Sequence, residues 1–189
     1  MEKLLTYIQE RVVLREDEIQ ALKEIVQAIE IPAKTILIQE GKRNSNLYFV
    51  NSGIVSGYTL AKGKKHVEHL IGPFSFFASM EGFMQEEHSL ECFETVSNCE
   101  LYRIAKSDFN ALRNSGGPWD ALMLGVMNEN LKCKMERTAD FQQLTAKERY
   151  LKFIKDSPDL LRRVSIETIA SFLGMEPQSL SRIRREIIS

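Results

Sequence analysis

The sequence predicts an α+β chain in which a turn-rich antiparallel β domain is framed by helices and followed by a helix–turn–helix. Three observations carry this. Apolar periodicity switches from a helical spacing to short strand-like runs near residue 33 and back near residue 106. A stretch of about 25 residues, 119–143, contains no proline and reads as one unbroken helix. Residues 165–187 have the spacing of two short helices joined by a tight turn.

Taken in order, residues 4–29 read as helix. Leu4, Leu5, Ile8, Val12, Val13, Ile19, Leu22, Ile25, Val26 and Ile29 recur at steps of three and four, and Pro32 stops the pattern. Residues 33–104 change period. Strand-like runs at 35–38, 47–50, 54–60, 66–71 and 100–104 are separated by turn residues such as Asn51-Ser52-Gly53 and Ala61-Lys62-Gly63-Lys64. Turns every ~8–12 residues predict an antiparallel sandwich or barrel. Gly53 and Gly63 fall where such turns need a positive φ.

Ser107 is placed to cap a short helix that runs to Arg113. Gly116-Gly117-Pro118 breaks it, and Pro118 suits the first position of the next helix. That helix would be nearly ~40 Å long at 1.5 Å per residue. It carries two apolar stripes, Met123, Val126 and Cys133 on one side, and Leu124, Met127, Leu131 and Met135 on the other. One stripe predicts packing on its own domain and the second predicts packing on a twin chain; a plain surface helix with a broad apolar face is the alternative. Thr145 followed by Glu148 is a capping box, Leu151, Phe153 and Ile154 give the next helix its core face, and Pro158 marks its end.

The C-terminal segment is the most informative. Ser165 caps a helix over 166–173, Gly174 ends it, Met175-Glu176 turns, and Pro177 opens a second helix reaching Ile187. Ala170 supplies the small residue where the helices cross. Ile169, Leu173, Met175, Leu180 and Ile183 supply the buried positions. A generic helical hairpin would match some of these requirements and seldom all, so the segment is expected to bind DNA. The second helix would enter the major groove. Gln178, Ser179 and Arg182 are the expected base-reading residues, because Gln pairs adenine and Arg pairs guanine with two hydrogen bonds each. Ser181, Arg184, Arg185, Lys147 and Arg149 are the expected phosphate contacts; for Arg184 and Arg185 the bland alternative is a solvated face favourable to the helix dipole. Charge agrees. Residues 145–189 carry nine Lys and Arg against six Asp and Glu, while the remainder is net −4 and the whole chain −1.

The order of these parts resembles the CRP/FNR family of bacterial transcription regulators, most strongly over residues 163–185 and in the β segment Leu47-Tyr-Phe-Val-Asn-Ser-Gly53. The resemblance implies an antiparallel β-roll (a double-stranded jelly roll) of cyclic-nucleotide-binding type over residues 1–117, a dimerisation helix over 118–143, and a helix–turn–helix over 144–189. It implies a homodimer on a palindromic operator in double-stranded DNA, with RNA polymerase as a further partner. The family usually continues into a β-hairpin wing after the recognition helix; the sequence stops at Ser189 and is expected to lack it.

Nucleotide-binding members carry a Gly-Glu pair and an Arg that pairs the cyclic phosphate. The corresponding stretch here is read as Gly72-Pro73-Phe74-Ser75-Phe76-Phe77, with Pro73 at the Glu position. From Phe74 to Tyr102 there is no Lys or Arg, while Glu81, Glu86, Glu87, Glu91 and Glu94 are present. Cyclic AMP is therefore not expected to bind. An effector would be uncharged or apolar, near Phe74, Phe76, Phe77, Ser79 and Cys133; alternatively these aromatics fill the cavity and no ligand exists. The family's helix hydroxyls would fall near Lys132 and Cys133, neither of which is one.

Other chemistries are excluded or left without support. Cys92, Cys99 and Cys133 are too few for the four-cysteine oxygen-sensing cluster and form no CxxC. His66 and His69 are three apart in a strand run and are expected to face opposite sides, so no metal site and no cofactor are expected. No pattern supports haem ligation by His88. The nearest phosphate-loop lookalike, residues 57–65, has five residues between its glycines and a Lys in place of the Ser or Thr. No GxSxG or HExxH occurs, and an enzyme is not expected. With 43% hydrophobic residues, no run near the ~20 apolar residues of a membrane helix and no signal-peptide pattern, a cytoplasmic protein is expected. A small-ligand sensor of the same fold without DNA-binding activity is the remaining alternative.

Overall fold

The structure is a computed structural model that describes residues 1–188, Ile188 by its backbone only. Two helices, α1 (Glu2–Gln9) and α2 (Glu16–Ile25), precede the β domain. The single helix expected over 4–29 is thus two helices and a strand. Val13 is almost fully exposed, so the apolar repeat breaks there. The Arg15 backbone N–H donates to Glu18, starting α2 afresh. Residues 27–31 leave the helix because their edge is taken by a partner strand, a tertiary contact that overrides local propensity.

The β domain has strands β1 (Gln27–Ile31), β2 (Ile36–Ile38), β3 (Asn46–Ser52), β4 (Val55–Ala61), β5 (Lys64–Ile71), β6 (Ser75–Phe77), β7 (Cys92–Thr95) and β8 (Cys99–Ala105). They form two four-stranded sheets in the orders β1-β8-β3-β6 and β2-β7-β4-β5, with all pairings antiparallel. This is the expected roll. Lys62 and Gly63 both have positive φ in the β4–β5 hairpin, as a two-residue turn of matching twist requires. The roll's core joins both sheets: Tyr48, Val50, Phe77 and Leu101 pack with Ile38, Val55 and Phe93.

Helix α3 (Lys106–Asn114) leads to α4 (Trp119–Gln143), which has the bounds read from the sequence. Pro118 sits at the N-cap of α4, not at its first helical position. Trp119, Leu122 and Val126 are buried with Leu4, Ile8, Phe49, Phe76 and Phe109, which fixes α4 against the roll and the N-terminal helices. The remaining helices are α5 (Ala146–Asp156), α6 (Pro158–Arg163), α7 (Ile166–Phe172) and α8 (Pro177–Ile188). Thr145 and Glu148 form the expected capping box on α5, and their hydrogen bonds hold the Glu148 carboxyl below its ordinary range. Ser165 caps α7 through the Thr168 N–H. Pro158 both ends α5 and opens α6.

Candidate functional site

The helix–turn–helix is built as its spacing demands. Ala170 is fully buried where α7 meets α8, and Ile169, Leu173, Leu180 and Ile183 are buried with Tyr150 and Phe153 of α5. Met175 is only partly buried. Gly174 adopts φ +64°, and a Cβ there would lie 2.4 Å from the Phe141 ring, so glycine is required twice over.

With Leu180 and Ile183 turned inward, α8 exposes Gln178, Arg182, Arg184 and Arg185; Ser179 and Ser181 are half-buried. Gln178, Arg182 and Arg185 fall within one narrow stripe at 100° per residue, whereas Arg184 points about 120° from Gln178. The Arg182 side chain is 76% exposed and comes within 3.9 Å of the Glu186 carboxylate. Lys147 of α5 approaches the same Glu186 carboxylate at 3.9 Å. Arg149 does not face outward. Its guanidinium donates to the carbonyls of Leu173 and Leu144 and lies over Phe141. It neutralises the C-terminal ends of α7 and α4, which removes it from the phosphate contacts expected of it.

The second candidate is a cavity of about 270 Å³ between the roll and α4. Ser75, Phe76, Phe77, Ala78 and Met80 line one side, Glu68, His69, Leu70 and Glu91 another, and Asn130, Cys133, Lys134 and Arg137 of α4 the third. Phe76, Phe77 and Cys133 thus lie where an effector was expected. Phe74 does not: it is 46% exposed, with Lys3 over its ring. Ser79 is fully buried, but its hydroxyl accepts from the Gly82 N–H and serves the backbone of a π-helical turn (Glu81–Gln85). Pro73 is exposed too, so this segment meets the cavity from Ser75 onward and not at Pro73 or Phe74.

Two features of the cavity lie outside the sequence reading. Its cations come from α4, not from the 74–102 segment. Arg137 donates to the carbonyls of Val67 in β5 and Phe172 in α7, and lies against the rings of Phe141 and Phe172. Burial lowers its pKa, opposed by Glu68. Arg137 therefore ties the roll, the long helix and the helix–turn–helix together. Gly57 is the second. A Cβ there would lie 2.9 Å from both His69 and Phe93. The signal was visible as a glycine inside a strand run, which marks a bulge or close approach.

Comparison with known proteins agrees with this geometry. Residues 28–115 match the family model of the cyclic nucleotide-binding domain. Across most of its length it has the fold of CRP/FNR-type regulators. It is similar to the c-di-GMP-responsive global regulator CLP of Xanthomonas campestris, at 18% identity and a TM-score of 0.73 over 92% of this chain and 91% of that one. FixK2 of Bradyrhizobium japonicum gives 15% identity and a TM-score of 0.75 over 86% and 84%. A CRP/FNR-family putative transcriptional regulator of Eubacterium rectale gives 15% and 0.70 over 92% and 83%. A search of curated protein sequences gave no match. Among the described residues no helix is long and apolar enough to cross a membrane.

Proposed function

We propose that the chain is a sequence-specific DNA-binding transcription regulator and not an enzyme. The observation that carries this is the exposed Gln178–Arg182–Arg185 stripe on α8, held outward by the buried core of the helix–turn–helix. In this reading residues 1–117 sense, 118–143 dimerise and 144–189 bind DNA. The protein acts in the cytoplasm as a homodimer on a palindromic operator and communicates with RNA polymerase.

The stripe of α4 left uncovered supports a dimer: Leu124, Leu131 and Met135 are 60%, 57% and 64% exposed. Two recognition helices in a two-fold dimer read half-sites about one helical turn, ~34 Å, apart. Cyclic AMP is not the effector in this reading. A cyclic phosphate in the cavity would meet the carboxylates of Glu68 and Glu91, against Lys134 and an Arg137 whose Nη2 is already given to two backbone carbonyls.

Selection of binding sites from random DNA tests the proposal. Wild type should enrich one palindrome. Arg182→Ala should lose ~1–3 kcal/mol of discrimination at one position per half-site. Arg185→Ala should weaken all sequences alike and lower the salt slope by about one for each phosphate it no longer neutralises. An Arg182→Ala protein that selects the wild-type palindrome with unchanged information at every position would remove the base-reading role. Failure of wild type to enrich any sequence would favour a ligand sensor without DNA-binding activity.

A further inference from the structure

We propose that Glu68, His69 and Glu91 bind a divalent transition-metal ion inside the roll cavity. One carboxylate oxygen from each glutamate and one imidazole nitrogen lie within 4.8 Å of one another. The fold assembles them deliberately. In the β4–β5 ladder Gly57 pairs with His69 but Tyr58 pairs with Val67, so Glu68 is the extra residue of a β-bulge. The bulge breaks strict alternation and brings two consecutive side chains to one place. Strand alternation alone denies this to the His66–His69 pair, and His66 is exposed on the outside.

Each donor is also oriented. The Thr59 hydroxyl donates to Glu68. The His69 ring stacks on Phe93 in space that only Gly57 leaves open. The buried Ser89 hydroxyl accepts from the Glu91 N–H and donates to the Glu91 carbonyl, fixing the backbone that carries the third ligand. Such outer partners are what hold metal ligands in place.

An independent observation points to a ligand. Glu91 is 8% exposed, and its Oε2 is buried with no hydrogen-bond partner. Nε2 of His69 lies 3.2 Å away, an ion pair when the imidazole is protonated, but no hydrogen bond joins them. A buried carboxylate oxygen without a hydrogen bond is costly. A cation between the oxygen and the imidazole nitrogen would satisfy both lone pairs at once. One nitrogen and two carboxylate oxygens suit borderline ions such as zinc, cobalt or manganese better than soft or purely oxygen-seeking ones. Three protein ligands leave room for water or a further donor. Lys134 and Arg137 line the same cavity and oppose a cation; Arg137 is tethered through Nη2 to the Val67 and Phe172 carbonyls, while its Nε is buried without a partner.

The site lies on the strand that meets the DNA-binding helices. Val67, next to Glu68, donates its N–H to Ser171 of α7 and gives its carbonyl to Arg137. Metal binding is thus placed to bias that docking; this link, unlike the site itself, rests on the regulator reading.

The test is titration of the chelator-treated full-length protein with Co²⁺, read by visible d–d absorption, and with Zn²⁺ by calorimetry. One ion per chain is expected. His69→Ala should abolish the absorption band, and Glu91→Gln and Glu68→Gln should each weaken binding at least ~10-fold, as loss of a ligand does. Glu87→Gln, an exposed carboxylate outside the cavity, serves as control and should bind as wild type. Absence of binding at millimolar Co²⁺, or unchanged affinity in both glutamine variants, would overturn the site. Metal binding in wild type with the same operator affinity in chelator and in Zn²⁺ would leave the site standing and remove its link to DNA.

Discussion

Gly174 stands at the point where one residue decides how α8 is presented. It ends α7 at positive φ and lets the Phe141 ring close against the turn, with Arg137 and Arg149 stacked on that ring. Gly174→Ala meets both the left-handed backbone penalty and overpacking, and should cost about 1–3 kcal/mol, read by thermal unfolding of the purified chain. A variant with unchanged midpoint would mean that Phe141 swings aside freely. Gly174 and the caps Thr145 and Ser165 were legible because their signal is local: a residue type at a fixed offset from a helix. Arg149 was misread for the opposite reason. Its partners, the Leu144 and Leu173 carbonyls, include one 24 residues away, and nothing in the sequence distinguishes a cation facing phosphate from one capping a neighbouring helix. Gly57 carried a local mark, but its reason, the rings of His69 and Phe93, lies across two strands.

At the scale of elements, the long helix was read to its last residue because 25 residues without a breaker leave few alternatives. Strands β1, β6 and β7 were missed. β6 and β7 are only three and four residues long and mostly buried, so no alternation is available to see. Of the first stripe of α4, Val126 is buried and Met123 half-buried but Cys133 is exposed; of the second, Leu124, Leu131 and Met135 are exposed and Met127 is half-buried. Val126 belongs to the core, so its replacement would unfold the domain before testing any partner. Leu124, Leu131 and Met135 carry the clean test. Leu124→Lys with Leu131→Lys should convert a dimer to monomers in sedimentation with little change in the monomer's own helix content. A double variant that still sediments as a dimer would place the twin's contact elsewhere.

For the whole molecule, the roll and the helix–turn–helix share more than a linker. Ile54 of the roll is buried within the helix–turn–helix core, and Arg137 bridges both. The sequence could order these parts but not dock them, since docking rests on contacts between residues up to 106 apart. The docking has a consequence for self-association. β5 is the last strand of its sheet, and its outer backbone groups are not left to solvent. Ser171 takes the Val67 N–H and donates to the Lys65 carbonyl, standing in for a neighbouring strand. Whatever lifts α7 away uncovers a template for intermolecular pairing, guarded by the charges of Lys64 and Lys65 and by the bulge at Glu68. A chain cut after residue 143 should therefore form species larger than the intact protein does, growing with concentration in size-exclusion runs. If the cut chain stays at the intact protein's oligomeric state, the lysines and the bulge protect the edge by themselves. The C-terminal helices would then act as a stopper against sheet-to-sheet polymerisation, and freeing them would carry an aggregation hazard that limits how long the protein can remain open.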